Sequence, residues 1–265
     1  MTAPRPANLP PSATPARALP PLTTLAIFLR LLAIQGAWNY ETMLGNGVAF
    51  CMEPALRLLP GGRGGPAYRA AMARQSRYFN AHPYLAAVAV GALARAELDG
   101  EAPARIERFR TAVCGPLGSC GDRLVWAAWL PLCSLLAIVA WALGAGALAV
   151  VAIFLGVYNA GHLALRAWAL HVGLTRGLQV ASALAAPWLR AGPEWLGQVG
   201  AAAAGFALPV ALGRILGPAH WASLGVAMTG AVVIGLLFVR VQGRWQGWRL
   251  ALPALALFVL ISVIA

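Results

Sequence analysis

The spacing of apolar and polar positions divides this chain near residue 123. Before that point apolar residues recur at helical intervals but are interleaved with charged and amide side chains, the pattern of helices that bury one face. Residues 23–59 read as helical with an interruption at 45–47. Arg30, Gln35, Asn39, Glu41, Glu53 and Arg57 make that stretch too polar for a lipid-facing span. It suits the membrane interface, or a bilayer entry in which protein covers the polar groups. A Gly- and Pro-rich break at 60–66 follows, then helical patterns over 68–79 and 83–97, a polar loop at 101–103, and a short basic helix over 105–113.

Beyond residue 123 the apolar runs lengthen. Candidate spans cover 124–143, 145–171, 199–216, 221–239 and 250–265, set against the roughly 20 helical residues that cross a hydrocarbon core. The expected fold is therefore all-α, a polytopic integral membrane helical bundle with an amphipathic, partly re-entrant N-terminal half. Three regions are expected: a leader over 1–22, an amphipathic helical region over 23–123, and a transmembrane region over 124–265.

Composition strengthens this division. Of 265 residues, 60% are hydrophobic and 11% charged, against about 25% charged in a soluble domain, and mean hydropathy is +0.71. Twenty of the 28 charged residues fall within 1–124. Residues 1–22 hold seven prolines and no apolar h-region, so they read as a disordered leader and not a signal peptide.

All 20 basic residues are arginine, against 8 acids, giving a formal charge of +12. No nucleic-acid motif accompanies the charge, and arginine-rich loops held against an anionic cytoplasmic leaflet explain it better than nucleic acid does. Arg240, Arg244 and Arg249, with Trp245 and Trp248 beside them, crowd the last connection, which the positive-inside rule places in the cytoplasm. Cys51, Cys114, Cys120 and Cys133 lack metal-ligand spacing and read as small apolar side chains, so no metal or cofactor is expected.

Four constellations could carry chemistry. In Gln35-Gly36-Ala37-Trp38-Asn39-Tyr40-Glu41, a helix would place Gln35, Trp38, Asn39 and Glu41 on one broad stripe. Amides and a carboxylate hydrogen-bond hydroxyls in pairs, and an indole covers the apolar face of a pyranose, although a polar helix face at a membrane boundary has the same composition. In Phe79-Asn80-Ala81-His82-Pro83-Tyr84, Pro83 disfavours helix at His82 and opens the next helix. Asn80 and His82 then stand at a helix–helix junction, as hydroxyl ligands or as caps.

Gly115-Pro116-Leu117-Gly118-Ser119-Cys120-Gly121-Asp122 reads as a tight turn re-entering the membrane, with Asp122 capping the following span. It lacks the Gly-Lys-Ser/Thr ending of a phosphate loop. Ser119 is not set in a nucleophile elbow, and its spacing from His162 gives no support to a hydrolase. Lastly, Asn159, His162 and Arg166 line one face of a span, which suits a protein interface better than a substrate path.

Taken in order, these motifs resemble the IID membrane component of the mannose/fructose/sorbose-type sugar phosphotransferase system. The resemblance begins at Leu29-Arg30-Leu31-Leu32-Ala33-Ile34-Gln35-Gly36-Ala37-Trp38-Asn39-Tyr40-Glu41 and runs through the Asn80–His82, Gly115–Asp122 and Asn159 motifs to about residue 177. It implies a subunit of the bacterial inner membrane that pairs with a IIC-like chain in a larger oligomer. Sugar would enter between the two subunits by alternating access and be phosphorylated at the cytoplasmic face by a phosphohistidine on IIB, itself charged by IIA.

No catalytic phosphoryl carrier is then expected in this chain. By the same resemblance, Asn39, Glu41, Asn80 and His82, with Gln35 and Trp38, would contact a hexose. Gly115, Pro116, Gly118, Gly121 and Asp122 would shape the gating loop, and Asn159, His162 and Arg166 would pack against the partner. The sequence departs from the family pattern at Arg123, at the glycine-rich break over 61–65 and in the leader. Those departures leave open a non-transporting scaffold or regulatory subunit built on the same fold.

Overall fold

The computed structural model describes residues 19–216 together with 225, 229, 230 and 233, and these form an all-helical array. Among the described residues nine α-helices follow in order: α1 Pro21–Leu31, α2 Gly45–Leu56, α3 Pro66–Gln75, α4 Ala86–Leu98, α5 Pro103–Gly121, α6 Leu130–Ala142, α7 Ala147–Arg176, α8 Ala181–Leu184 and α9 Pro187–Leu216. Proline opens α1, α3 and α5 at the first helical turn, where its missing N–H costs nothing and its fixed φ suits the helix. Gly177, at φ 53°, ends α7 and donates its N–H to the Gly173 carbonyl.

The core is built around α4. Its sequence AAVAVGALARAEL is apolar on nearly every side, and residues 86–97 are all buried, as expected of a helix surrounded by protein. It packs along α7, and also against α2 and α5. Glycine sets the α4–α7 separation: a Cβ on Gly91 would lie 2.8 Å from the Leu170 carbonyl oxygen, and one on Gly173 would lie 2.3 Å from that of Val88. The two backbones touch where side chains would otherwise hold them apart.

Helices α5 and α6 are joined without a turn. Asp122–Trp129 is π-helical, and the Leu130 N–H bonds the Val125 carbonyl five residues back. Pro131 follows at once and has no N–H to give Ala127, so one α-type hydrogen bond is missing where the register changes. The result is one helical rod, Pro103–Ala142. With Ala147–Gln179 it is one of two helices among the described residues long and apolar enough to cross a membrane.

The expected spans at 124–143 and 145–171 fall within these two rods but for residues 143, 145 and 146, and the stretch at 199–216 forms the C-terminal part of α9. The expected spans at 221–239 and 250–265, the arginine cluster at 240–249 and almost all of the 1–22 leader lie outside the described residues. Four local expectations are corrected: residues 45–47 open α2 instead of interrupting a helix, Pro83 stands before α4 and does not open it, and two motif segments differ as follows. Residues 115–122 are helical and form no re-entrant turn, so Asp122 does not cap the following span with its side chain. Residues 35–41 leave the helix altogether, because α1 ends at Leu31 and the chain continues as successive turns to Thr42.

Candidate functional site

The chain after α1 is drawn back onto the core. Gly47 makes this possible, since a Cβ there would lie 1.8 Å from the Ile34 carbonyl oxygen. Gln35, Trp38, Asn39 and Glu41 consequently share no helical stripe and sit on a turn. Asn39 holds that turn: its Oδ1 accepts from the N–H groups of Glu41 at 3.0 Å and Thr42 at 2.9 Å, while its Nδ2 donates to Thr42 Oγ1 at 2.9 Å and the Ala37 carbonyl at 3.2 Å. Such Asx turns are a short polar side chain's usual way of replacing backbone partners.

This turn is stitched to the second motif. Phe79 N–H bonds the Thr42 carbonyl at 3.1 Å, and Leu44 N–H bonds the Phe79 carbonyl at 2.9 Å. Asn80 therefore emerges beside the Asn39 turn although 41 positions separate them. Gln35, Trp38, Tyr40, Glu41 and Asn80 are all exposed, and the Trp38 and Tyr40 rings meet edge to face at 4.8 Å. Amide, carboxylate and aromatic groups thus share one surface.

His82 is the opposite, only 1% exposed. Its Nδ1 accepts the Tyr84 N–H at 3.2 Å and its carbonyl accepts the Ala86 N–H at 2.8 Å, so it holds the turn that leads into α4. Nε2, which carries the proton when Nδ1 accepts, is buried and unpartnered. Burial, reinforced by the positive charge of Arg166, pushes His82 down to about 4 and keeps it neutral at pH 7. Gly121 gives it room, because a Cβ there would lie 2.2 Å from His82 Cβ. The ring also meets Trp126 at 4.9 Å.

The fourth motif joins from α7. His162 Nε2 shares a 2.8 Å hydrogen bond with Asn159 Oδ1, and the His162 ring stacks on Tyr84 at 4.9 Å. Tyr158 Oη lies 2.6 Å from Tyr84 Oη. Arg166 sits over the Tyr84 ring at 4.5 Å and donates to the Leu31 carbonyl at the end of α1. It is 4% exposed. Arg166, expected to face another subunit, instead turns inward and ties α7 to the helix that leads into the Asn39 turn.

The second and fourth constellations therefore meet around Tyr84, the third reaches His82 through Gly121, and the first joins the second through the Thr42–Phe79–Leu44 bonds. Tyr84, Trp126 and Tyr158 escape recognition from sequence because nothing local separates them from ordinary aromatic packing. Arg123, the departure within the third motif, is exposed and folds back so that its Nε meets the Ser119 carbonyl at 3.3 Å. An apolar cavity of about 340 Å³ lies nearby, lined by Leu124, Trp129, Trp168 and Trp188 with His162 at its edge. Its lining does not suit a hydroxylated ligand. Among the described residues no group of three or more His, Cys, Asp or Glu could hold a metal.

Helical rods of membrane length, joined to an amphipathic half with polar groups gathered at a helix junction, describe a helical membrane bundle. The family described as "PTS system mannose/fructose/sorbose family IID component" matches residues 20–203, and the chain belongs to it. The mannose-specific EIID component of Escherichia coli K12 is 30% identical over 168 residues, covering 58% of this chain and 55% of that protein. The fructose permease IID component of Bacillus subtilis is 29% identical over 60% of this chain and 58% of its own.

A sorbose-specific EIID component of Klebsiella pneumoniae is 28% identical with the same coverage. The matched region thus spans little more than half the length of these relatives. Among solved structures, a chain of the "Mannose Transporter ManYZ and Microcin E492 (MceA) complex" matches at TM-score 0.55 and 26% identity, over 71% of this chain and 69% of that one. Another, described as "Structure of membrane protein", matches at TM-score 0.62 and 27% identity.

Proposed function

We propose that this chain is the IID subunit of a sugar permease in a bacterial inner membrane, pairing with a IIC-like membrane subunit and importing a hexose that IIA and IIB phosphorylate. The observation that supports this most is the backbone stitch between Thr42, Leu44 and Phe79, which places two distant polar motifs on one surface beside buried His82. Gln35, Glu41 and Asn80 supply donors and acceptors for hydroxyl groups, and Trp38 supplies an apolar ring face. Asn39 acts by holding the turn, since its own amide is already engaged. His82 Nε2–H is a donor without a partner, available when a neighbouring segment shifts to admit sugar.

The matching transporter titled for mannose and the relatives named for mannose, fructose and sorbose support a hexose as the substrate class. The test is uptake of labelled hexose by cells carrying Asn80→Ala or His82→Ala, with co-purification of the partner subunit measured alongside. Loss of one hydrogen bond to a neutral ligand lowers affinity by up to about tenfold. Each variant is expected to raise the half-saturating sugar concentration by about that factor while assembly persists. Unchanged uptake in both would refute the site, and normal uptake in a deletion strain would favour the scaffold reading.

A further inference from the structure

The glycine-rich break at 61–65 and the arginines around it take no part in the site above, yet they border a polar basin of about 400 Å³. The basin draws Arg30 from α1, Glu53 from α2, Arg57 just beyond α2, Arg63 from the glycine loop and Tyr68 from α3. Glu53 is its floor, 7% exposed. Arg30 Nη1 donates to Glu53 Oε2 at 2.9 Å, Arg57 Nε to Oε1 at 2.6 Å and Tyr68 Oη to Oε1 at 3.2 Å, while Arg63 Nε lies 3.9 Å away. Three guanidinium groups thus surround one carboxylate, an excess of two positive charges.

The arrangement splays the arginines instead of neutralising them. Arg57 engages Glu53 through Nε alone, leaving both terminal nitrogens without a partner among the described residues. Arg30 spends Nη1 on Glu53 and the Phe50 carbonyl and lies over the Phe50 ring at 4.7 Å, leaving Nη2 without a partner among the described residues. Planar forks held in this way suit the oxygens of a phosphate.

A second observation indicates where that phosphate comes from. Leu22, Leu25, Leu29 and Leu32 recur three and four residues apart along α1, and all are between 47% and 79% exposed. They lie opposite Ile27 and Leu31, which are fully buried, and Arg30 lies on the flank between the two faces. A leucine stripe bordered by arginine is the pattern of a helix lying in a lipid interface. Phe50, in the basin wall, is also 44% exposed.

We propose that the Arg30–Arg57–Arg63 basin binds the phosphate of an anionic phospholipid headgroup while the leucine stripe of α1 rests in the acyl-chain boundary beside it. The site is separate from the hydroxyl-binding surface and does not depend on transport. Glu53 orders the three arginines, and the headgroup phosphate takes the nitrogens they leave free.

The test uses the full chain with its co-purifying subunits in nanodiscs of equal phosphatidylglycerol and phosphatidylcholine, with retained lipids counted by native mass spectrometry after extraction. Each arginine near an anionic surface contributes roughly fivefold. Wild type is expected to retain phosphatidylglycerol about tenfold over phosphatidylcholine, and Arg57→Gln/Arg63→Gln to bring the ratio near one. Arg63→Gln alone, on an exposed loop with only a 3.9 Å contact to lose, keeps the fold intact and should lower the ratio severalfold.

Equal ratios in wild type and the double variant would overturn the proposal. Displacement of the lipid by millimolar inorganic phosphate or hexose phosphate would overturn it in favour of a soluble phosphate source. A photo-crosslinker at Leu29 that labels a co-purifying protein instead of lipid would show the stripe to be a subunit interface, and would overturn it as well.

Discussion

Buried charge is treated in two contrasting ways in this molecule. Between α3, α4 and α5 it is closed on itself: Glu97 accepts from Arg74 at 2.9 and 2.6 Å and from Gln75 at 2.6 Å, and Gln75 Oε1 in turn accepts from Arg110. Arg110 also donates to the Arg77 carbonyl and lies over the Phe79 ring. Around α7 it is left open. Arg166 meets an aromatic ring and a helix-terminal carbonyl but no carboxylate among the described residues, its Nε is unpartnered, and so is His82 Nε2.

Both clusters reach the 79–82 segment. The closed network fixes where that segment sits, through Arg110 on Phe79. The open one leaves donors that a ligand or a moving helix can take up. An unpaired buried donor costs about 1–3 kcal/mol, so stability is concentrated in the first cluster and given up in the second.

The largest effect expected from this contrast follows Glu97→Ala. Removing one partner of a buried ion pair strands the other, typically at a cost of about 3–5 kcal/mol. Arg74 loses its counter-charge and Gln75 loses the acceptor that orients it toward Arg110. Thermal unfolding followed by tryptophan fluorescence in detergent should therefore begin well below the wild-type temperature. A wild-type melting curve would show that the network does not anchor the fold. Arg166→Met gives the sharper comparison, because it strands no carboxylate and should alter uptake more than melting.

The open cluster is tested by pH. His82 faces Arg166 and the Tyr84 phenol, and its pKa is lowered from 6.5 to about 4 by burial and by Arg166. Between those values the unfolded chain binds a proton that the folded chain refuses. The contribution of His82 to stability is therefore complete above about pH 6.5, falls as pH is lowered toward 4, and levels off below that. From pH 6.5 to 5.5 the loss is on the order of 1 kcal/mol. His82→Asn should flatten this part of the melting-temperature profile, and an unchanged slope would mean that other groups set it.

How much of this was readable in advance varies with the range of the forces involved. The helical pattern and the amphipathic-to-apolar change near residue 123 are local, and the sequence displays them, whereas Pro21, Pro66 and Pro103, expected in the leader, the break and the loop, open helices. The end of α1 is not local. Gln35–Glu41 has helical composition, and it turns because Gly47 admits the Ile34 carbonyl and Phe79 pairs with Thr42 and Leu44.

The 115–121 segment fails in the opposite direction. Three glycines and a proline suggest a turn, and each glycine costs a helix about 1 kcal/mol. Yet Gly121 lies within α5 because the His82 ring occupies the space its side chain would need. One glycine thus carries two meanings, local flexibility and close approach, and only the partner 39 positions away decides between them. In the same way, the spacing of Asn159, His162 and Arg166 correctly sets a shared face, while the inward direction of Arg166 depends on where α1 ends.

The smallest expected effect supplies the control that both clusters need. Arg105 Nη1 binds Glu101 at 2.8 Å four residues away, in geometry as close as that of Arg74 with Glu97, but the two side chains are 52% and 29% exposed. Water screens this pair and solvates either partner when the other is removed, so Arg105→Ala is expected to cost no more than about 0.5 kcal/mol. A shift in melting temperature within error, beside a large one for Glu97→Ala, would assign the difference to burial and not to the number or length of the bonds. Comparable shifts in the two variants would break the contrast, because desolvation would then no longer separate the charges that hold the fold from those that decorate it.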